Sequence, residues 1–514
     1  MCSISGVING DLKSLKKMIS KQSHRAPDDQ GMYIDKNIFI GMGRLKIIDL
    51  KSNNLCPYIE DDLVISYNGE IYNYIELRKE LQKLKWKFKT NSDLEVLAKS
   101  WKQWGFKIFE KLNGMFAFCI YEKKKNRIIL SRDISGEKPL YYSKLGNKFY
   151  FSSEAKAIVS VCNNEVRKEN KIFNAFQHCL SETLWKNIFQ LPAANYLVFD
   201  LATCNFKIKE YWNFKPTKID LKEPVEQFNE LLKNSIKIRL RSDVKFALYY
   251  SKGMDSTLIS TFFDFKNKFF FDDQKNWKKD FMKKFKQISY HLDVPVGSLS
   301  SYPLWKLAER SKKNNVKVII SGEGADELFG GYTRYLPVSQ EWELKNKFTS
   351  YTYLFNKFYD EYIDSFAKIT SRNEDIELVK QIIKPHFEKF DDPINAMGYV
   401  DFKIVMPSLL QMGDRMAAAH GIENRCPFLD RNLIEFAFSL PDYLKIKNLE
   451  QKILIRKLLI KKNIINPLKL QKKGLTITFN KWFKISDWSR DYYFNMLNEN
   501  WKKSFLINNK KRYV

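Results

Sequence analysis

Short β-like runs recur through the first 200 residues: "NIFIGMGRLKIIDL" (37–50), "LVISYNGEIYN" (63–73), "RIILSRD" (127–133), "KFYFSS" (148–153) and "NYLVFDLATCNFKIKEYW" (195–212). Apolar runs of this length bounded by polar turns predict strands, and helical periodicity shows in two stretches, near 12–20 and 75–104. An α+β layered domain is therefore expected over 1–212. The Pro-containing polar segment "NFKPTKIDLKEP" (213–224) predicts a linker over 213–223, followed by a helix at about 224–240. "FALYYS" (246–251) and "VKVIIS" (316–321) read as buried strands, and from 340 onward helical periodicity dominates, as in "LIEFAFSL" and "QKILIRKLLIKK". Residues 224–514 thus read as an α/β domain with a large helical extension.

Length supports that division, because 514 residues are too many for one ordinary core. A hydrophobic fraction of 44% with 15% aromatics is ample for globular folding. No apolar run reaches bilayer-spanning length and no charged-then-apolar leader opens the chain, so no membrane association and a cytoplasmic location are expected. Seven Cys without a CxxC pair, and five scattered His, indicate neither a zinc site nor a disulfide framework. The net charge of +28 raises the question of a nucleic-acid partner. Its Lys and Arg are spread over the whole length and no nucleic-acid module is present, so a solvated basic surface and no specific nucleic acid are expected.

Chemistry enters at Cys2. A small second residue permits removal of Met1, which would place a free α-amine beside the Cys2 thiol. With an ordinary pKa near 7.7–8.0, that amine can take the thiol proton, so one residue supplies nucleophile and base. Taken alone, a Cys after the start residue carries no function. It is followed, however, by "SHRAPDDQG" (23–31), "GRLKIIDL" (43–50), "YNGEIYNY" (67–74), "TNSDLEVL" (90–97), "LNGMFAFCIY" (112–121), "SRDISGEKPLYY" (131–142) and "FSSEAKAI" (151–158). In this order the motifs resemble the N-terminal-nucleophile (class II) glutamine amidotransferase domain of glutamine-hydrolysing asparagine synthetases, an αββα fold.

The resemblance implies roles. Cys2 attacks the carboxamide of glutamine; Asn68 and Gly69 supply the oxyanion hole; Arg44, with Ile47, Glu70 and Asp93, binds glutamine, Arg44 at its α-carboxylate and the two acids at its α-ammonium. Ala26 departs from the family's usual Gly in "HRGPD", and a local backbone adjustment with retained activity is expected. The apolar "MFAFCIY" reads as a core strand, with the lining of an internal ammonia passage as the sharper alternative.

The rest of the chain resembles the family's ATP-pyrophosphatase synthetase domain, through "RLRSDVKFALYYSKGMDSTLIS" (239–260), "VIISGEGADELFGGYTRY" (318–335), "LLQMGDRMAAAHGIENRCPFLD" (409–430) and, loosely, "LQKKGLTITFNKWF" (470–483). The implied cofactors are ATP and Mg2+. Leu248, Ser251, Gly253, Asp255, Ser256, Ser321 and Gly322 would bind ATP. Asp255 and Asp326 would hold the metal, Glu323 would take the proton from attacking ammonia, and Lys472, or its neighbour Lys473, would steady the phosphoryl charge. Two departures stand out. Lys252 replaces the first Gly of Ser-Gly-Gly-x-Asp-Ser, where a left-handed backbone costs a non-glycine residue roughly 1–2 kcal/mol. Only 65 positions separate Ser256 from Ser321, fewer than is usual, so a full β-α-β-α-β passage is cramped. Within the shortened part, "FKNKFFF" (265–271) reads as a core strand or as a remnant of the adenine-binding strand.

Three functions stay open: asparagine synthesis from aspartate, glutamine and ATP; amidation of another carboxylic acid, such as a sugar acid; and a glutaminase whose second half no longer reacts. The partners expected are these small-molecule substrates, and a homodimer is an open option.

Overall fold

The computed structural model describes residues 1–52, 55–162, 165–166, 181–215, 222–271, 277–294, 296, 298–347, 359–370, 376–470, 479–484, 492–493, 495–497 and 499–500. The expected linker over 213–223 falls partly outside these.

Among the described residues up to 210, twelve strands build two sheets: β1 (Ser3–Ile8), β2 (Asp29–Asp35), β3 (Ile38–Arg44), β4 (Tyr58–Glu60), β5 (Leu63–Ile71), β6 (Gly114–Glu122), β7 (Arg127–Arg132), β8 (Tyr141–Leu145), β9 (Lys148–Ser152), β10 (Phe189–Gln190), β11 (Asn195–Asp200) and β12 (Asn205–Glu210). They order as β10-β8-β9-β1-β3-β2 and β12-β11-β7-β6-β5-β4, antiparallel throughout. The period of two decides which residues fill which layer. On β5 and β6, Ile65, Tyr67, Phe118 and Ile120 pack against helices α2 (Tyr74–Lys83) and α3 (Asp93–Trp104). Val64, Ala117, Cys119 and Tyr121 face the other sheet, where they meet Ile4, Ile8 and Ile40. Helix α1, within Leu12–Lys21, and α4 (Ala155–Val159) cover the first sheet's outer face. The layering is therefore αββα, and "MFAFCIY" is a core strand shared between two cores.

The C-terminal half is built on a parallel sheet, β14-β13-β15-β16, from β13 (Phe246–Tyr249), β14 (Lys268–Phe269), β15 (Val318–Ile320) and β16 (Glu423–Arg425). Between β13 and β15 run helix Met254–Ser260, β14, and helices Trp277–Leu292 and Ser301–Lys313. The β-α-β-α-β passage thus does fit, because its middle strand is only two residues long. β14 lies beside β13 within "FKNKFFF", and Phe269 is buried.

A buried ionic network joins the halves. Arg25 donates to Glu154 at 3.0 Å and to both oxygens of Asp414 at 2.9 and 3.1 Å. Arg415 reaches the Ser153 carbonyl at 3.2 Å and Asp293 at 3.3 Å. Asp293 accepts from the backbone N–H of Ala155 at 2.6 Å and of Lys156 at 2.8 Å, capping α4 from across the boundary. Burial alone would raise the Glu154 pKa, but His24, Lys156 and Arg415 hold its carboxyl well below the usual range. Ions removed from water are costly unless each finds a partner, and here each carboxylate of the network has one across the boundary or beside it.

Candidate active site

The first site forms where Cys2, β3, β5 and α3 meet. Cys2, Arg44, Ile47, Gly69, Glu70 and Asp93 line one pocket, and the N–H of Cys2 donates to Asn68 Oδ1 at 3.1 Å. Arg25 Nε donates to the Cys2 carbonyl at 3.1 Å, so the nucleophile is held on both sides. Asn68 Nδ2 is buried with no hydrogen-bond acceptor among the described residues. Gly69 takes φ +154°, and a Cβ there would come within 2.1 Å of the Met115 carbonyl oxygen. Only glycine lets β5 and β6 pair this closely at that point.

The Arg44 guanidinium is steadied by the carbonyls of Ile48 and Asp49, both at 2.9 Å. Asp93 accepts from the Tyr67 hydroxyl at 2.7 Å and the Ile71 N–H at 3.1 Å. Burial, followed by the charge of Asp93, pushes the Glu70 carboxyl well above its usual range; burial also raises Asp93. Two buried acids side by side favour a cation between them. Burial likewise raises the Cys2 thiol, while the Met1 amine is pushed down to about 5. Met1 is buried against Ala308, Ile319 and other apolar residues of the C-terminal half. The nitrogen of Cys2, which would become the α-amine once Met1 is removed, already lies on Asn68 Oδ1. Ala26 takes φ −134°, where glycine is not required, and the close approach opposite its methyl is made possible by Gly43.

The second site lies where β13 and β15 run into helix starts. Ser251 and Ser256 hydroxyls are 3.0 Å apart, the Ser251 N–H donates to Ser256 Oγ at 3.1 Å and the Gly253 N–H to Ser251 Oγ at 3.3 Å. Lys252 sits in the left-handed region at φ +64°, its ammonium 5.4 Å from the ring centre of Phe270. Gly322 abuts Asp255, where an added Cβ would lie 3.2 Å from that residue's Cβ. Leu248 contributes its side chain to the core. Glu323 is held by the Ser321 hydroxyl, by Asn424 Nδ2 at 2.8 Å and by the Cys426 thiol at 3.2 Å.

Asp255 and Asp326 converge on one cation, Lys452, whose Nζ lies 2.6–2.7 Å from Asp255 and 2.7 Å from Asp326. Burial would lower the Lys452 pKa, but the two carboxylates raise it above the ordinary lysine value. Gly331 makes room, since a Cβ there would meet Lys452 Cε at 2.2 Å and Asp326 Oδ1 at 1.9 Å. Sequence reasoning missed Lys452, and Lys472 and Lys473 lie outside the described residues. Lys452 precedes helix Ile453–Lys461 in a left-handed conformation, where a cation is disfavoured at the helix N-terminus unless acids hold it.

The two sites share β16. Glu423 lines the Cys2 pocket, Asn424 holds Glu323, and Arg425 donates to Glu70 at 3.0 Å and to Glu423 at 2.9 Å. Three consecutive residues with alternating faces thus touch both sites, and the sequence reasoning singles out none of them.

Residues 1–212 match a family model described as a glutamine amidotransferase domain, and residues 275–510 match one described as asparagine synthase. The glutamine-hydrolysing asparagine synthetase 1 of Bacillus subtilis (strain 168) is 30% identical over 570 residues, covering 96% of this chain and 89% of that protein. Asparagine synthetase 2 of the same organism is 29% identical, with 89% and 69% covered. Amidase chry2 of Gibberella zeae is 25% identical, with 86% and 81% covered.

Proposed function

Because the chain belongs to the glutamine-hydrolysing asparagine synthetase family, we propose that it makes asparagine from aspartate, drawing nitrogen from glutamine and energy from ATP. The observation that supports this reading is β16, where Glu423 lines the Cys2 pocket, Arg425 donates to Glu70 and Asn424, on the other face, donates to Glu323. Two of the similar proteins are named asparagine synthetases, which supports aspartate as the acceptor.

In the first site the Cys2 thiol adds to the glutamine carboxamide carbon. Asn68 Nδ2, unpartnered among the described residues, donates to the developing oxyanion, as does the Gly69 N–H; removing one such donor typically costs about 10²–10³ in rate. Arg44 takes the α-carboxylate, while Glu70 and Asp93 take the α-ammonium. The Cys2 α-amine, freed by removal of Met1, takes the thiol proton and gives it to the leaving nitrogen as the C–N bond breaks; ammonia departs, and water then hydrolyses the thioester to glutamate and frees the thiol.

In the second site an aspartate carboxylate oxygen attacks the α-phosphorus of ATP and pyrophosphate leaves. Ser251, Gly253, Ser256, Ser321 and Gly322 surround the nucleotide's phosphates. Asp255 and Asp326, which now pair with Lys452, would hold Mg2+ through their hard carboxylate oxygens. When bound, Mg2+ neutralises phosphate charge, and the buried Lys452 ammonium adds to that. Ammonia then attacks the acyl carbon, Glu323 accepts its proton and AMP departs.

The test is pyrophosphate release from ATP and Mg2+ with ammonia and single candidate acids. Aspartate-dependent release supports the reading. Release only with a different acid changes the acceptor, and no release with any acid, alongside intact glutamate formation from glutamine, would sink the synthetase half.

A further inference from the structure

Glu323 uses its two carboxylate oxygens differently. Oε2 accepts the Ser321 hydroxyl, Asn424 Nδ2 at 2.8 Å and the Cys426 thiol at 3.2 Å, whereas Oε1 accepts no hydrogen bond among the described residues. A carboxylate oxygen carries two lone pairs, so three donors saturate Oε2 and leave the capacity to take a proton on Oε1. Oε1 lies against helix Met406–Ala418, where a Cβ added to Gly413 would stand 3.4 Å from it. A glutamate held by packing alone would swing, because its terminal torsion is broad and two-fold.

The donors are themselves fixed. β16 runs parallel to β15 with Asn424 beside Ile319, and the Ser321 N–H donates to the Arg425 carbonyl at 3.0 Å. Residues two apart along a strand share a face. Asn424 and Cys426 therefore point together at Glu323, while Glu423 and Arg425 serve the thiol site. The Cys426 sulfur lies 3.7 Å from Asn424 Nδ2 and 3.6 Å from the Ser321 hydroxyl, and all three side chains are buried. Hydrogen bonds to an ionised acceptor are the strong ones, so this set of donors grips the carboxylate firmly.

We propose that Asn424 and Cys426 are positioning residues for the amidation step: by holding Glu323 through Oε2 they present Oε1 as the oxygen that receives ammonia's proton. The proposal rests on the synthetase reading of this site given above. As the ammonia nitrogen bonds to the acyl carbon of the aspartyl adenylate, one N–H proton passes to Oε1. The bond from that carbon to the phosphate oxygen then breaks, and AMP leaves with the electron pair. Formation of the adenylate needs no such acceptor, because the aspartate side chain attacks the α-phosphorus as a carboxylate. Loss of either donor therefore acts on one step and spares the other.

The experiment separates the two steps in the full chain. With enzyme in excess over ATP, and with Mg2+ and aspartate but no nitrogen source, acid-quenched pyrophosphate reports adenylate formation. Asparagine formed at saturating ammonia reports amidation. Asn424→Ala should lower amidation about tenfold or more, since small misplacements of a reacting group are costly, while first-turnover pyrophosphate stays within about threefold of wild type. Cys426→Ala should lose about threefold or more in amidation alone, and Cys426→Ser, which keeps a donor, should stay within about twofold of wild type in both. Glutamate formation from glutamine reports folding, and the Cys426 pair carries the test if Asn424→Ala does not fold. Amidation unchanged in the alanine variants, or falling in step with pyrophosphate formation, overturns the positioning role. A wild type that forms neither pyrophosphate nor asparagine from aspartate overturns the synthetase reading, and the proposal with it.

Discussion

Replacing Lys252 by glycine measures what the altered phosphate loop costs. At φ +64° the lysine bears roughly 1–2 kcal/mol that glycine would not. Its ammonium over the Phe270 ring, 5.4 Å from the centroid, returns about 0.5–1 kcal/mol at an exposed position. Glycine also loses about 0.5–1 kcal/mol through the larger entropy of its unfolded chain. These contributions nearly cancel, so Lys252→Gly should change stability by no more than ~1 kcal/mol, a shift of about 2–4 °C in Tm or less. Because the side chain is drawn toward Phe270, kcat/KM for ATP in pyrophosphate release should stay within about tenfold of wild type, the equivalent of about 1.4 kcal/mol. Thermal melts and a coupled pyrophosphate assay check both numbers. A large gain in Tm, or pyrophosphate release gained where the wild type has none, would refute the reasoning and mark Lys252 as an obstruction.

Lys452→Ala leaves Asp255 and Asp326 facing each other without their cation; aspartate-dependent pyrophosphate release should fall about 10²–10³-fold with glutamate formation unchanged. A loss below tenfold would contradict the role given to Lys452. Arg25→Met removes the cation between Glu154 and Asp414 and should cost ~3–5 kcal/mol in urea unfolding; a cost below about 1 kcal/mol would mean the network does not hold the halves together. Glu137→Gln gives a pH-dependent difference. The folded-state pKa of Glu137 is raised from 4.5 to about 8, so its contribution is full below about 4.5 and is lost as pH rises through about 8. The stability of Glu137→Gln relative to wild type should therefore increase between pH 5 and pH 8.5, and a constant difference would show that Glu137 is not buried in this way.

Much of the thiol site was legible because its residues sit in continuous motifs: Cys2, Arg44, Ile47, Asn68, Gly69, Glu70 and Asp93 all fall within short stretches, and the fold gathers them. Asp255 and Asp326 also sit in continuous motifs, and the fold brings both onto Lys452. The periodicity of two showed that strands exist but not how β5 pairs β6 or which sheet each joins, since register depends on partners distant in sequence. Lys452 escaped because its meaning comes from two acids, one of them 197 positions away. Glu423 and Asn424 escaped because a three-residue strand offers too little alternation to read, although its two faces serve different sites. β14 was legible within "FKNKFFF" as a strand, though not that only two of its residues would pair with β13.

The central claim is that two sites in one chain exchange ammonia, and Cys2→Ala tests it most directly. With aspartate, ATP and Mg2+ present, pyrophosphate release should be lost when glutamine is the nitrogen source and retained, near the wild-type rate, when ammonia is supplied. Loss with both nitrogen sources in a folded variant, or survival of the glutamine-dependent reaction, would contradict the account.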